Sequence, residues 1–82
     1  MTQEELKSLY KTSDLALAAI ISLQSPIELI DRTNPRKALF FFKRSKKLDK
    51  AIKAYWRGET RVEPRAYFDE LRRIKARLYE GR

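Results

Sequence analysis

The sequence predicts an α+β fold: a small antiparallel sheet of two or three strands packed with three α-helices, in the order (β)-α-β-β-α-α. Three observations lead there. The run Arg36-Lys37-Ala38-Leu39-Phe40-Phe41-Phe42-Lys43-Arg44 sets five consecutive apolar residues between two pairs of cations, the pattern of a central strand covered on both faces. Upstream, Leu15, Ala16, Leu17, Ala18, Ala19, Ile20, Ile21 and Leu23 are apolar almost all round a helix, as a helix enclosed on several sides must be. Downstream, residues 46–57 and the stretch from Pro64 through Leu78 repeat apolar side chains at helical spacing and carry charge between them.

Taken in order, residues 1–9 read as a frayed turn or short helix, opened by a capping box of Thr2 and Glu5. Leu9-Tyr10-Lys11 fits the end of that turn or a short edge strand equally well. Thr12 or Ser13 caps the apolar helix, with Asp14 in its first turn where the helix dipole favours an anion, and Pro26 stops it. Ile27-Glu28-Leu29-Ile30-Asp31 alternates as a half-buried strand, and Thr33-Asn34-Pro35 is turn chemistry joining it to a strand over 36–43. In that strand Phe40 and Phe42 face one way, Leu39 and Phe41 the other, so the three helices are expected to cover both faces. Ser45 caps a helix over 46–57 that Gly58 ends; Leu48, Ala51, Ile52 and Tyr55 form its apolar stripe, with Trp56 at the edge. A loop or extended link over 59–63 leads to Pro64 at the first position of the last helix, whose stripe is Tyr67, Leu71, Ile74 and Leu78.

Length and composition exclude several classes of function. Residues 1–82 make one domain, and a chain of this size buries only about 60–65% of its unfolded surface. With no cysteine and no histidine, disulfides, thiolate metal sites and the commonest general base are absent. The carboxylates Asp31, Asp49, Glu59, Glu63, Asp69 and Glu70 are scattered, and neither glycine sits in a phosphate loop. No enzyme activity, cofactor or metal is expected. The longest nearly apolar run, residues 15–23, falls well short of the roughly 20 residues of a membrane span. No secretory leader opens the chain, so a cytoplasmic setting is expected.

Charge is the strongest signal. Residues 1–31 hold two cations and five anions, a balance of −3, whereas residues 32–82 hold seventeen and six, a balance of +11. One Asn, two Gln and abundant Arg, Lys and Glu match thermophile compositions, but ion-pair networks need both signs and leave the surplus of eight positive charges unexplained. Such a field concentrates polyanions. Lys46, Lys50, Lys53 and Arg57 fall in one sector of their helix opposite the apolar stripe. Lys46 and Lys47 stand in the first turn, where the dipole repels cations, so helix stability does not account for them. Together with Lys43 and Arg44 they form a candidate phosphate-facing set: Lys43, Arg44, Lys46, Lys47, Lys50, Lys53 and Arg57. The same charges also serve solubility and keep strand ends from pairing with other chains.

Arg65, Arg72, Arg73 and Arg77 make a second basic surface, ranked lower because Asp69 and Glu70 lie within reach of Arg72 and Arg73. Phe40, Phe41 and Phe42 lack the glycine-containing pattern of sheets that stack bases and are assigned to the core. The expected partner is nucleic acid, duplex DNA in preference, bound with slight sequence specificity. The alternative is an acidic protein anchored on Trp56 or Tyr79.

Thr12-Ser13-Asp14-Leu15-Ala16-Leu17-Ala18-Ala19, Asn34-Pro35-Arg36, Phe40-Phe41-Phe42, Ala54-Tyr55-Trp56-Arg57-Gly58 and Val62-Glu63-Pro64-Arg65-Ala66-Tyr67-Phe68 form an ordered set. In these the chain resembles a family of small uncharacterised domains from bacteria, archaea and their viruses, over roughly residues 10–79. The resemblance implies a compact α+β domain serving a mobile element as an accessory or regulatory protein. It carries no functional residue across, and Lys46 and Lys47 stand where similar sequences tolerate acidic residues.

Overall fold

Five successive buried side chains in one short helix determine how everything else is arranged. A computed structural model describes Glu4, residues 7–34 and residues 36–80. In it helix α1 spans Leu15–Ser22 and buries Leu17, Ala18, Ala19, Ile20 and Ile21. Burial right round a helix requires neighbours on several sides. Strand β1 (Leu9–Thr12), helix α2 (Lys46–Trp56) and helix α3 (Pro64–Glu80) all pack against α1. Strands β2 (Leu29–Asp31) and β3 (Leu39–Lys43) complete the order β-α-β-β-α-α, an α+β fold.

The sheet runs β1-β3-β2 with both pairings antiparallel, so the phenylalanine strand is central as its sequence predicts. Register settles the faces. Tyr10 lies opposite Phe42, and both Thr12 and Ile30 lie opposite Phe40, so these residues share one side. There Phe40 and Phe42 join Leu17, Ala18, Ala19, Ile21, Leu48 and Ile74 in the core, ringed by Ile52, Tyr55, Tyr67, Leu71 and Leu78. Each buried Phe, Leu or Ile contributes about 1.5–3 kcal/mol.

The expectation that helices cover both faces is corrected. Because α2 and α3 both dock on α1, all three lie on its side of the sheet. On the other side Phe41 is flanked by Lys11 and Leu29 on the neighbouring strands, Lys43 pairs with Leu9 and Leu39 with Asp31. Phe41 is only 7% exposed all the same. Its recess is lined by Lys7, Leu9, Tyr10, Lys11 and Arg44, whose long aliphatic stems cover apolar surface while their charges stay wet.

Several boundaries move from their sequence-based places. Asp14 is the N-cap of α1 rather than a first-turn residue: its Oδ1 accepts the Leu17 N–H at 3.1 Å, while Thr12 Oγ1 accepts the Asp14 N–H at 3.1 Å. Leu9–Thr12 is a strand, which resolves the ambiguity at Leu9-Tyr10-Lys11. The Ser8 N–H donates to the Glu4 carbonyl at 3.2 Å, and the capping box expected at Thr2 and Glu5 lies outside the described residues. The strand expected over 27–31 is Leu29–Asp31, preceded by Glu28, whose N–H donates to the Phe41 carbonyl at 2.8 Å. The strand expected over 36–43 begins only at Leu39, because the Arg36 and Lys37 N–H groups turn back to Asn34 Oδ1 (2.9 Å) and the Asn34 carbonyl (3.1 Å). In the same turn the Thr33 hydroxyl and N–H hold the Asp31 carboxyl below its ordinary pKa of 3.8.

Helix α2 keeps its expected start and ends one residue early, at Trp56, with Arg57 as its C-cap. Ser45 Oγ accepts the Leu48 N–H at 3.0 Å. Gly58 takes φ of 71°, so that its own N–H reaches the Tyr55 carbonyl at 3.1 Å and that of Glu59 the Ala54 carbonyl at 2.8 Å, a Schellman closure. Pro64 opens α3, and the Glu63 carboxylate accepts the Ala66 N–H at 2.7 Å, a capping role its sequence position did not suggest.

Asp14 also locks α2 to α1, since Tyr55 Oη donates to Asp14 Oδ2 at 2.8 Å. Asp14→Ala removes both a cap, worth about 1 kcal/mol, and a hydrogen bond to a charged group, worth about 1.5–3 kcal/mol. Urea unfolding should therefore show a loss of about 2–4 kcal/mol, with Asp14→Asn, which retains a capping oxygen, losing less. The pH dependence has a definite sign. The bond to Asp14, then burial and the Asp14 charge, raise the Tyr55 hydroxyl above its ordinary 10.0. A raised pKa means that this contribution is intact below the unfolded value and is lost as pH rises through the folded one. Tyrosinate absorbance should show the Tyr55 ionisation displaced to higher pH, and Asp14→Ala should bring it down.

Candidate nucleic-acid interface

Lys46, Lys50, Lys53 and Arg57 recur on one side of α2 because they sit four, three and four residues apart. Their charges rise about 4.5–6 Å per step along the helix axis. All four are exposed, as is Lys47 beside them, whereas Leu48 on the opposite face is 1% exposed. The ion pairs among the described residues are Lys43–Glu28, Arg72–Asp69 and Arg73–Glu70. None involves Lys46, Lys47, Lys50, Lys53 or Arg57. Asp49, the one acid within α2, lies beyond 4.0 Å of all of them. These five charges stand in solvent without a partner carboxylate among the described residues, which favours their attraction for an external anion.

The two remaining members of the predicted set are differently placed. Lys43 ends β3, and its exposed Nζ lies 3.9 Å from Oε1 of the half-buried Glu28, a long contact worth little. Arg44 turns to the other side, its guanidinium 5.7 Å from the centre of the Tyr10 ring. This puts Arg44 beside Lys7 and Lys11, two cations that the sequence did not associate with the site. Alternation along Leu9-Tyr10-Lys11-Thr12 places Leu9 and Lys11 on one face, but only the register of β1 against β3 brings that face to Phe41.

Residues 7–80 match the family described as Domain of unknown function (DUF5659). The chain belongs to the DUF5659 family. The DUF5659 match takes in strands β1 to β3 and helices α1 to α3 as well as the whole basic set. A search of curated proteins and a search of solved structures each returned no match. In this DUF5659 domain, roles for individual residues therefore rest on their own chemistry and placement.

The second basic surface does not merge with the first. An apolar cleft of about 450 Å³, lined by Ile20, Leu23, Ala51, Ala54, Val62 and Ala66 among others, separates α2 from the start of α3. On α3, Arg72 pairs with Asp69 and Arg73 with Glu70, as their spacing predicts, while Arg65 and Arg77 are exposed. Glu70 also accepts the Ser22 hydroxyl at 2.7 Å, and the Arg77 carbonyl accepts from Arg32 Nη1 at 3.3 Å. Half of this surface is thus compensated by its own carboxylates. Trp56, meeting Tyr55 edge to face at 5.1 Å, is 67% exposed beside Arg57. Among the described residues no helix is long and apolar enough to cross a membrane.

Proposed function

We propose that this domain binds nucleic acid, duplex DNA in preference, through phosphate contacts from α2, and acts in the cytoplasm as an accessory or regulatory protein of a mobile element. The observation that carries this reading is the row of exposed cations Lys46, Lys47, Lys50, Lys53 and Arg57, none with a carboxylate in reach among the described residues. Arg44 and Lys43 extend the row at the end of β3. No base-reading constellation accompanies it, so binding is insensitive to sequence.

A titration against duplex DNA at two salt concentrations tests the reading. If the five cations each neutralise one phosphate, the logarithm of affinity falls with the logarithm of salt at a slope of about −4.5, which is a loss of about 500-fold between 50 and 200 mM. Affinity that ignores salt, or no binding at 50 mM, overturns it. The exposure of Trp56 favours a second reading, an acidic protein held by the field and anchored on the indole. Tighter binding of an acidic protein control than of the duplex would put that reading in place of the first.

A further inference from the structure

The outer side of α3 carries a pattern that neither the core nor the α2 row uses. Arg65, Phe68, Arg72, Lys75 and Tyr79 recur at spacings of three and four residues, and all five are exposed. Phe68, Arg72, Lys75 and Tyr79 each follow a core-facing residue, namely Tyr67, Leu71, Ile74 and Leu78. One residue is about 100° of helical turn, so the stripe runs beside the core and clear of it. Phe68 is 57% exposed and Tyr79 62%, two large side chains on one helix face. Such residues are ordinary when scattered singly, but two on one stripe with cations between them have the make-up of an interface, where aromatic residues and arginine are enriched. Phe68 is also supported from behind, its ring meeting the half-buried Tyr67 edge to face at 5.8 Å. A side chain already held in this way loses little freedom on binding.

We infer that α3 docks an acidic amphipathic helix of another protein along this stripe. The spacing supplies the shape, because alternating steps of three and four average about 3.5 residues, the repeat that keeps two packed helices in contact. From Arg65 to Tyr79 the stripe rises about 21 Å, enough for about two heptads. Charge chooses the partner. No position of the stripe is acidic. Arg65 and Lys75 have no carboxylate within 4.0 Å among the described residues, and Arg72 meets Asp69 only at 4.0 Å in an exposed pair worth little. A second copy of the chain would bring the same cations and a net charge of +8 against them, and like charges along a helix pair select against self-association. An acidic helix instead sets its apolar side chains between Phe68 and Tyr79 and its carboxylates on Arg65, Arg72 and Lys75. The stripe shares no residue with the α2 row, so the inference goes beyond phosphate binding and stands whether or not α2 holds nucleic acid.

Anisotropy titrations of a labelled synthetic helical peptide of about three heptads, with Leu at a and Glu at d, test this beside an oligoglutamate of equal net charge. The helical peptide should bind about tenfold tighter than the oligoglutamate, since it alone offers apolar side chains to Phe68 and Tyr79. Phe68→Ala and, separately, Lys75→Glu should each weaken it about tenfold, as loss of an interface anchor does. Both positions are exposed, so circular dichroism should match the parent. No binding of the peptide, equal binding of the oligoglutamate, or variants that bind as the parent does overturn the inference. So does a loss of peptide binding in Trp56→Ala, which would put the acidic partner on the indole of α2. A loss of duplex affinity in Phe68→Ala as large as its loss of peptide affinity overturns it too, because the stripe would then belong to a nucleic-acid surface.

Discussion

Exchanging Lys46, Lys50 and Lys53 for Glu will abolish duplex binding and leave the domain folded. The two halves of that result have separate causes. All three side chains are exposed and pair with no carboxylate among the described residues, so the folded state loses no contact when they change. At position 46 the exchange even helps, because a Glu in the first turn of α2 is attracted by the dipole that repels the native Lys, by about 0.3–1 kcal/mol. Circular dichroism and the urea midpoint should therefore match the parent. Binding changes in the opposite sense. Each exchange alters the charge by two, taking the net charge from +8 to +2, and leaves Lys47 and Arg57 as the remaining contacts on the helix. The salt slope should fall from about −4.5 to about −1.8, with affinity below detection at physiological ionic strength. Arg72→Glu with Arg73→Glu is the control: it changes the charge by four on α3, where each arginine already faces an acid. If the α2 variant binds duplex as well as the parent, or if the α3 variant is equally damaged, the charges act only as a diffuse field and α2 is not the contact surface.

What the sequence revealed and what it hid divide along one physical line. Local rules settled α2 completely: Ser45 and Gly58 have no competing role, and the stripe through Leu48 and Ile52 turns the lysines outward whatever surrounds the helix. They also made β3 central, since five apolar residues, three of them phenylalanine, between pairs of cations are too short for a buried helix and need cover on both faces. They failed where a long-range partner decided the outcome. Asp14 became a cap because Tyr55, forty-one residues away, supplied a second bond to it. The recess around Phe41 escaped notice because it depends on β1 pairing with β3 in a given register, and nothing local in Leu9-Tyr10-Lys11-Thr12 sets that register. The same cause explains the one-sided packing of the helices. Alternation along β3 says that both faces carry apolar residues, but which face receives α2 and α3 depends on their common docking on α1.

Phe42→Ala tests that one-sidedness, and its effect on stability should be the largest of any single substitution in the chain. Phe42 is 0% exposed on the central strand, in the cluster with Leu17, Ile21, Leu48 and Ile74, so truncation opens a cavity that three helices would have to move to close. Phe→Ala at such a site costs about 3–5 kcal/mol. A chain of 82 residues has roughly 4–12 kcal/mol of stability in all, so the variant should unfold at low urea or on mild warming. Phe41→Ala supplies the contrast. Phe41 is nearly as buried at 7% exposed, yet it stands outside the helical core, and its space opens into the recess that Lys7 and Lys11 share. Water and the lysine stems can fill that space, so the loss should be less than half that of Phe42→Ala. Equal losses at the two positions would mean that Phe41 is enclosed as tightly as the helical core and that the recess beside it does not take up the loss.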